Sequence, residues 1–226
     1  MGDSDRYDIG VKTTKISPRD RLLKAASDLF YKEGIRSVGI NRVLEESQTP
    51  IMTLYRHFGS KDGLAAAYLD RRGERTQEVV KGEVERRASS PREKILATFD
   101  IVREGFEASD YRGCAFINAT VEMASPDHEV TKIARHHKNA GRQWFAELAA
   151  AAGVPDPEAL AIQLTVLLDG ATAAAVLYRD STGAAYARSA AETLIDAALA
   201  TAPSGDTATP LAEALRPQVP QTADLT

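Results

Sequence analysis

Apolar positions along the chain recur at helical spacing. Leu22, Ala26, Leu29 and Phe30 form one face, and Ile40, Val43 and Leu44 form the next. Ser17 before Pro18 provides a cap and a first-turn proline for the first helix, and Gly34 provides its stop. The second helix ends near Ser47, where Gln48-Thr49-Pro50 breaks the rhythm. Thr49 is expected to cap a third helix over Pro50 to His57, with Pro50 at its first position. Leu54 and Phe58 turn its apolar side inward and leave Ile51, Met52, Thr53, Tyr55 and Arg56 wholly or partly outward. Helices this short hold only as a packed unit.

The remainder also reads as helices. Ser60 caps a long one with Lys61 in its first turn, running past Leu64, Tyr68 and Val79 toward Arg87. Ser90-Pro91-Arg92-Glu93 is a capping box, so a new helix starts there and carries Ile95, Phe99, Val102 and Phe106 inward. After the turn Tyr111-Arg112-Gly113 and the apolar segment CAFINATVEM, Ser125-Pro126-Asp127 is expected to cap a helix through Ile133 and Trp144 to Gly153. Two more follow, roughly Pro157 to Tyr178 and Ala184 to Thr201. The expected fold is all-α: an arm over 1–17, a three-helix domain over 18–63, a second helical domain over 64–202, and a disordered tail over 203–226.

Two helices joined by a three-residue turn, the second presenting apolar, hydroxyl and basic residues outward, form a helix-turn-helix suited to the major groove. Lys61 at the start of the following helix joins an ammonium to free N–H groups, a pairing that suits phosphate. The stretch TLYRHFGSKDGL, Thr53 to Leu64, resembles the TetR/AcrR family of bacterial transcriptional regulators. Gln48 stands where the family commonly has Gly, and Gly63 where it commonly has Glu. The resemblance implies a backbone clamp of Tyr55, His57 and Lys61, with Thr53 a further candidate. Ile51 and Met52 are then expected to read bases through thymine methyls, and Arg56 to reach guanine or phosphate. Pro50 and Arg42 complete the expected DNA-contacting set, Arg42 being equally readable as a solvated surface residue. Lys12 and Lys15 are candidates for arm contacts.

Charge sharpens this picture. The 226-residue chain is −4 overall, yet Ile9 to Lys61 carries ten Lys/Arg against five Asp/Glu, a net +5 that leaves −9 on the rest. The electrostatic footprint for nucleic acid is therefore N-terminal. A single cysteine, Cys114, excludes an intramolecular disulfide and fits a reducing cytoplasm. The acidic, polar start MGDSDRYD and the lack of 18 consecutive apolar residues point to a cytoplasmic protein with no membrane partner. His128, His136 and His137 with Glu129 lack a one-face spacing for a metal, and no cofactor or catalytic constellation is found, so neither metal nor enzyme is expected. The rival reading is an all-helical small-molecule-processing enzyme with an incidental N-terminal bundle.

Tyr111 to Val130 also resembles one group of TetR-type C-terminal domains through an RGC.F.NA..E…PDH pattern. Phe99, Val102, Phe106, Cys114, Phe116, Asn118, Glu122, Trp144 and Tyr178 mix aromatics with a few polar groups, as a small-molecule pocket does and as an ordinary helical core does. Cys114 reads either as an inert buried thiol or as a sensor. Leu160, Leu164, Leu167, Leu168 and Ala171 line one face of the penultimate helix, and Leu194 and Ala198 lie on the last. The family resemblance implies that these helices pair with a second subunit in a four-helix bundle. It further implies a homodimeric repressor of a double-stranded operator, released by a small-molecule effector.

Overall fold

A computed structural model describes residues 16–201. Lys12, Lys15 and the expected tail lie outside the described residues. The described residues form α1 (Pro18–Glu33), α2 (Ile40–Ser47), α3 (Ile51–Phe58), α4 (Lys61–Arg87), α5 (Pro91–Phe106), α6 (Ala115–Met123), α7 (Glu129–Ala151), α8 (Pro157–Tyr178) and α9 (Thr182–Ala200), with no strand among them.

Most ends follow from local chemistry. The Asp20 N–H donates to Ser17 Oγ at 3.1 Å, and Gly34, at φ 95°, donates its N–H to Phe30 O. In the Ser90 capping box the Glu93 N–H donates to Ser90 Oγ at 3.3 Å and the Ser90 N–H to Glu93 Oε2 at 3.2 Å. The α7 cap differs from expectation. Ser125 to Asp127 forms a turn, and His128 is the cap, its Nδ1 accepting the Val130 N–H at 3.3 Å. The imidazole nitrogen does the work expected of an Asp or Ser oxygen.

Two apolar cores result. The first packs Leu22, Phe30, Val38, Val43 and Leu54 of the N-terminal helices against Leu64, Tyr68 and Leu69 of α4, and continues into Ala119, Met123 and Val130. The second joins Ile95 and Phe99 of α5, Phe145 and Ala149 of α7, Leu160 and Leu164 of α8, and Ile195 of α9. Each such large side chain contributes about 1.5–3 kcal/mol by leaving water. The apolar packing of the N-terminal unit thus runs past residue 64 into α4, α6 and α7.

Polar links cross between the helices. His137 of α7 sets Nε2 2.9 Å from Asp70 Oδ1 of α4, lies against Gly73 and stacks on Phe116 of α6. Tyr31 of α1 donates its hydroxyl to Gly113 O at 3.1 Å and accepts the Arg112 N–H at 3.0 Å. Glu122 of α6 accepts the Arg36 N–H at 2.8 Å, and Arg36 returns a guanidinium bond to Met123 O at 3.2 Å. The α1–α2 turn is therefore tied to the end of α6, and α1 to the turn that precedes α6.

Candidate DNA-binding surface

The turn between α2 and α3 is built differently from the sequence expectation at one position. Thr49 does not cap α3. It is buried, its Oγ1 lies 2.7 Å from Ser47 Oγ, and Pro50 is the boundary residue, so α3 begins at Ile51. Two hydroxyls satisfying one another inside the turn outcompete a cap at its rim.

Gln48 ends α2 in the left-handed region, φ 51° and ψ 46°, and donates its N–H to Glu45 O at 3.1 Å. A glycine avoids the steric cost of that conformation, which accounts for the residue common here in the resembling family. Gln48→Gly is expected to stabilise the protein by about 1 kcal/mol, part of the gain being lost to the freer unfolded chain. Thermal unfolding of the variant checks this, and a lowered melting temperature would contradict it.

Arg21 is a positioning residue that sequence reasoning missed. From α1 its Nε donates to Ser47 O at 3.2 Å, and its two terminal nitrogens donate to Ile16 O at 3.2 Å and Gln48 O at 3.4 Å. The Ser47 and Gln48 carbonyls end α2, so one guanidinium fixes the turn that aims α3. An arginine on an outward helix position gives no such signal in sequence.

On α3, Leu54 is buried and Phe58 half-buried, with Arg19 over the Phe58 ring at 5.5 Å. Ile51, Met52, Tyr55, Arg56 and His57 are exposed, Met52 at 69%, and Thr53 is half-exposed. Arg56 and His57 sit together, Nη2 to Nε2 3.2 Å. Gly59 closes α3 at φ 73°, and Ser60 Oγ accepts the Gly63 N–H at 3.0 Å to open α4, placing Lys61 in its first turn. At Gly63 a Cβ would lie 2.1 Å from Phe58 O, so the α3–α4 turn as built admits no side chain there. Arg42 has a partner within the chain: it makes a two-pronged ion pair with Glu33, one arm at 2.9 Å, and that hydrogen bond holds the Glu33 carboxyl below its ordinary range.

The expected ligand set is dispersed. Phe99 stacks on Phe145 inside the second core, Phe106 meets Tyr111, and Phe116 stacks on His137. Val102 is half-buried on α5, Cys114 is half-buried at the start of α6, and Trp144 is half-buried with Lys81 Nζ 5.7 Å from its ring. Tyr178 is exposed. Only Asn118 and Glu122 of the nine line a cavity of about 600 Å³ between the α1–α2 turn and α6.

Three of the seven residues expected at the dimer interface need correction: Leu160, Leu164 and Ala171 are buried inside the subunit's own second core. Leu167, Leu168, Leu194 and Ala198 are half-buried against it. The uncovered face of α8 is the opposite one, Ile162, Val166, Ala173 and Leu177, with Tyr186 of α9 also exposed. By length and composition α8 could cross a membrane, yet its Asp169 pairs with Lys138 of α7 and one face is packed in the core. Among the described residues no group of three His, Cys, Asp or Glu is placed to hold a metal ion.

A short helix with an exposed mixed face, aimed by a braced turn and followed by a capped helix that starts with lysine, defines a helix-turn-helix DNA-binding protein. The family model for bacterial regulatory proteins of the tetR family matches residues 22–68. The TetR-family transcriptional regulator SCO4454 from Streptomyces coelicolor is 32% identical, with a TM-score of 0.72 over 80% of this chain and 96% of that one. A tetR-type regulator from Streptomyces avermitilis is 31% identical, with a TM-score of 0.73 over 81% and 98%. The HTH-type transcriptional regulator YjdC of Escherichia coli is 25% identical over 186 residues, 78% of this chain and 93% of its own. The chain belongs to the TetR family and is a DNA-binding transcriptional regulator.

Proposed function

We propose that this regulator is a cytoplasmic homodimeric repressor that leaves a palindromic operator when a small molecule binds the body of the protein. The observation that carries the reading is the outward face of α3, where Ile51, Met52, Tyr55, Arg56 and His57 are exposed beside the Lys61 start of α4. Residues 18–63 form the DNA-binding domain in this reading, and 64–202 the effector and dimerisation domain.

Tyr55, His57 and Lys61 grip phosphate, Thr53 supports them, and Pro50, Ile51, Met52 and Arg56 face the groove. Arg42 contributes through its Glu33 pair, which fixes α2 against the end of α1. Two subunits joined across the uncovered α8 and α9 faces present two α3 helices to successive major grooves, about 34 Å apart. An effector that favours a different spacing then releases DNA by shifting the population between two arrangements.

Titration of a labelled fragment from immediately upstream of the protein's own coding sequence tests the reading. Lys61→Ala is expected to weaken binding to every sequence and to lower the slope of log affinity against log salt by about one unit. Met52→Ala is expected to change preference among sequences instead. An unchanged slope for Lys61→Ala would remove the clamp.

A further inference from the structure

The cavity between the α1–α2 turn and α6 contains chemistry that the helix-turn-helix does not use. Its volume of about 600 Å³ is that of a small-molecule site. Tyr31, Tyr68, Tyr111 and Val176 give it an apolar lining. Tyr68 is 2% exposed and lines the cavity. Burial raises the Tyr68 phenol above its ordinary range and pushes Tyr111 up to about 12, so both remain O–H donors at neutral pH.

The rim is cationic. Arg112 and Arg179 line the cavity, and neither guanidinium has an ion-pair or hydrogen-bond partner among the described residues. Of the lining carboxylates Glu33 is paired with Arg42, while Glu122 accepts the Arg36 N–H and keeps its charge. With Arg36, Arg112 and Arg179 also on the lining, the lining side chains still sum to a positive charge.

We propose that this cavity binds a small organic monoanion, an aromatic or medium-chain carboxylate, whose carboxylate meets Arg112 and Arg179 and whose apolar body enters among Tyr31, Tyr68 and Tyr111. The proposal rests on the reading of the protein as effector-responsive and names the effector's chemistry. A planar guanidinium suits a carboxylate. The site adjoins the bonds from Tyr31 of α1 to Gly113 and from Arg36 of the α1–α2 turn to Glu122 of α6, so a ligand here rearranges the bonds that hold the DNA-binding helices. No chain of intermediate residues is needed to carry the signal.

The test uses the full chain with benzoate and octanoate as probes, and benzamide and octanamide as neutral controls. Isothermal titration and thermal shift are expected to show binding of at least one carboxylate, with its amide weaker by roughly tenfold or more. Arg112→Gln with Arg179→Gln is expected to abolish that difference. Both side chains are exposed, so the double variant should melt like the wild type without probe.

Equal affinity for acid and amide, no binding of either acid, or undiminished binding by the double arginine variant would overturn the site. Anisotropy of the labelled upstream fragment separates this outcome from the broader reading. A compound that releases DNA equally from wild type and double variant keeps the effector mechanism and removes this cavity. Carboxylate binding that is lost in the double variant, yet releases no DNA, keeps the cavity and removes the mechanism.

Discussion

Val166→Asp is expected to yield a folded monomer, whereas Leu164→Asp, two residues earlier on the same helix, is expected to unfold the chain. Val166 is 65% exposed and Leu164 0%. In the proposed dimer the first substitution places two carboxylates at the joint, because a two-fold axis repeats every change, and each loses water without a partner. A cost of roughly 3 kcal/mol corresponds to a dimer about a hundredfold weaker. The second buries a charge among Ile95, Phe145 and Leu160, inside the subunit itself, and removes a stability of the same order as the whole fold. Sedimentation velocity and thermal melting separate the two variants. DNA affinity should fall with Val166→Asp, since a monomer grips one half-site. An undiminished dimer for Val166→Asp, or a normally folded Leu164→Asp, would reverse the assignment of the two faces.

Leu160, Leu164 and Ala171 show where a sequence stops being informative. In α1 polar residues interrupt the apolar face, so Leu22, Ala26, Leu29 and Phe30 identify the buried side unambiguously. In α8 the run from Leu160 to Leu177 is apolar or small nearly all round, and spacing cannot tell a core face from a partner face. Only the positions of α7 and α9 decide it. The helix-turn-helix was legible because turns are local: Gly34, Pro50 and Ser60 act within a few residues of themselves. Thr49 misled because its hydroxyl found Ser47, an alternative within the same turn.

Sites made across the chain were not legible. The cavity takes Tyr31 from α1, Tyr68 from α4, Arg112 from the α5–α6 turn and Arg179 from the end of α8, and no spacing rule joins them. Aromatic composition alone suggested a pocket at Phe99 and Trp144, but Phe99 is core and Trp144 rests under Lys81. Arg21 belongs to the same class: its role is set by carbonyls 26 and 27 residues away.

Gly73→Ala is expected to destabilise the protein by about 1–3 kcal/mol, against the usual sign for a glycine in a helix interior. An exposed helical glycine gains roughly 1 kcal/mol when replaced by alanine. Gly82, on the same helix with nothing within 4 Å of its added Cβ, supplies that control. At Gly73 the Cβ would lie 2.2 Å from His137 Nδ1 and 2.4 Å from two further ring carbons. His137 cannot easily retreat, because Asp70 holds Nε2 at 2.9 Å and Phe116 stacks on the ring. The two helices must therefore part, and α4 is the helix whose first turn carries Ser60 and Lys61. Lower DNA affinity is expected together with lower stability. His137→Ala in the same chain removes the obstructing ring, so the double variant should lose less than the two single changes added together, a coupling that thermal melts of all four proteins measure. If Gly73→Ala instead raised the melting temperature as Gly82→Ala does, the close α4–α7 approach would not exist in solution.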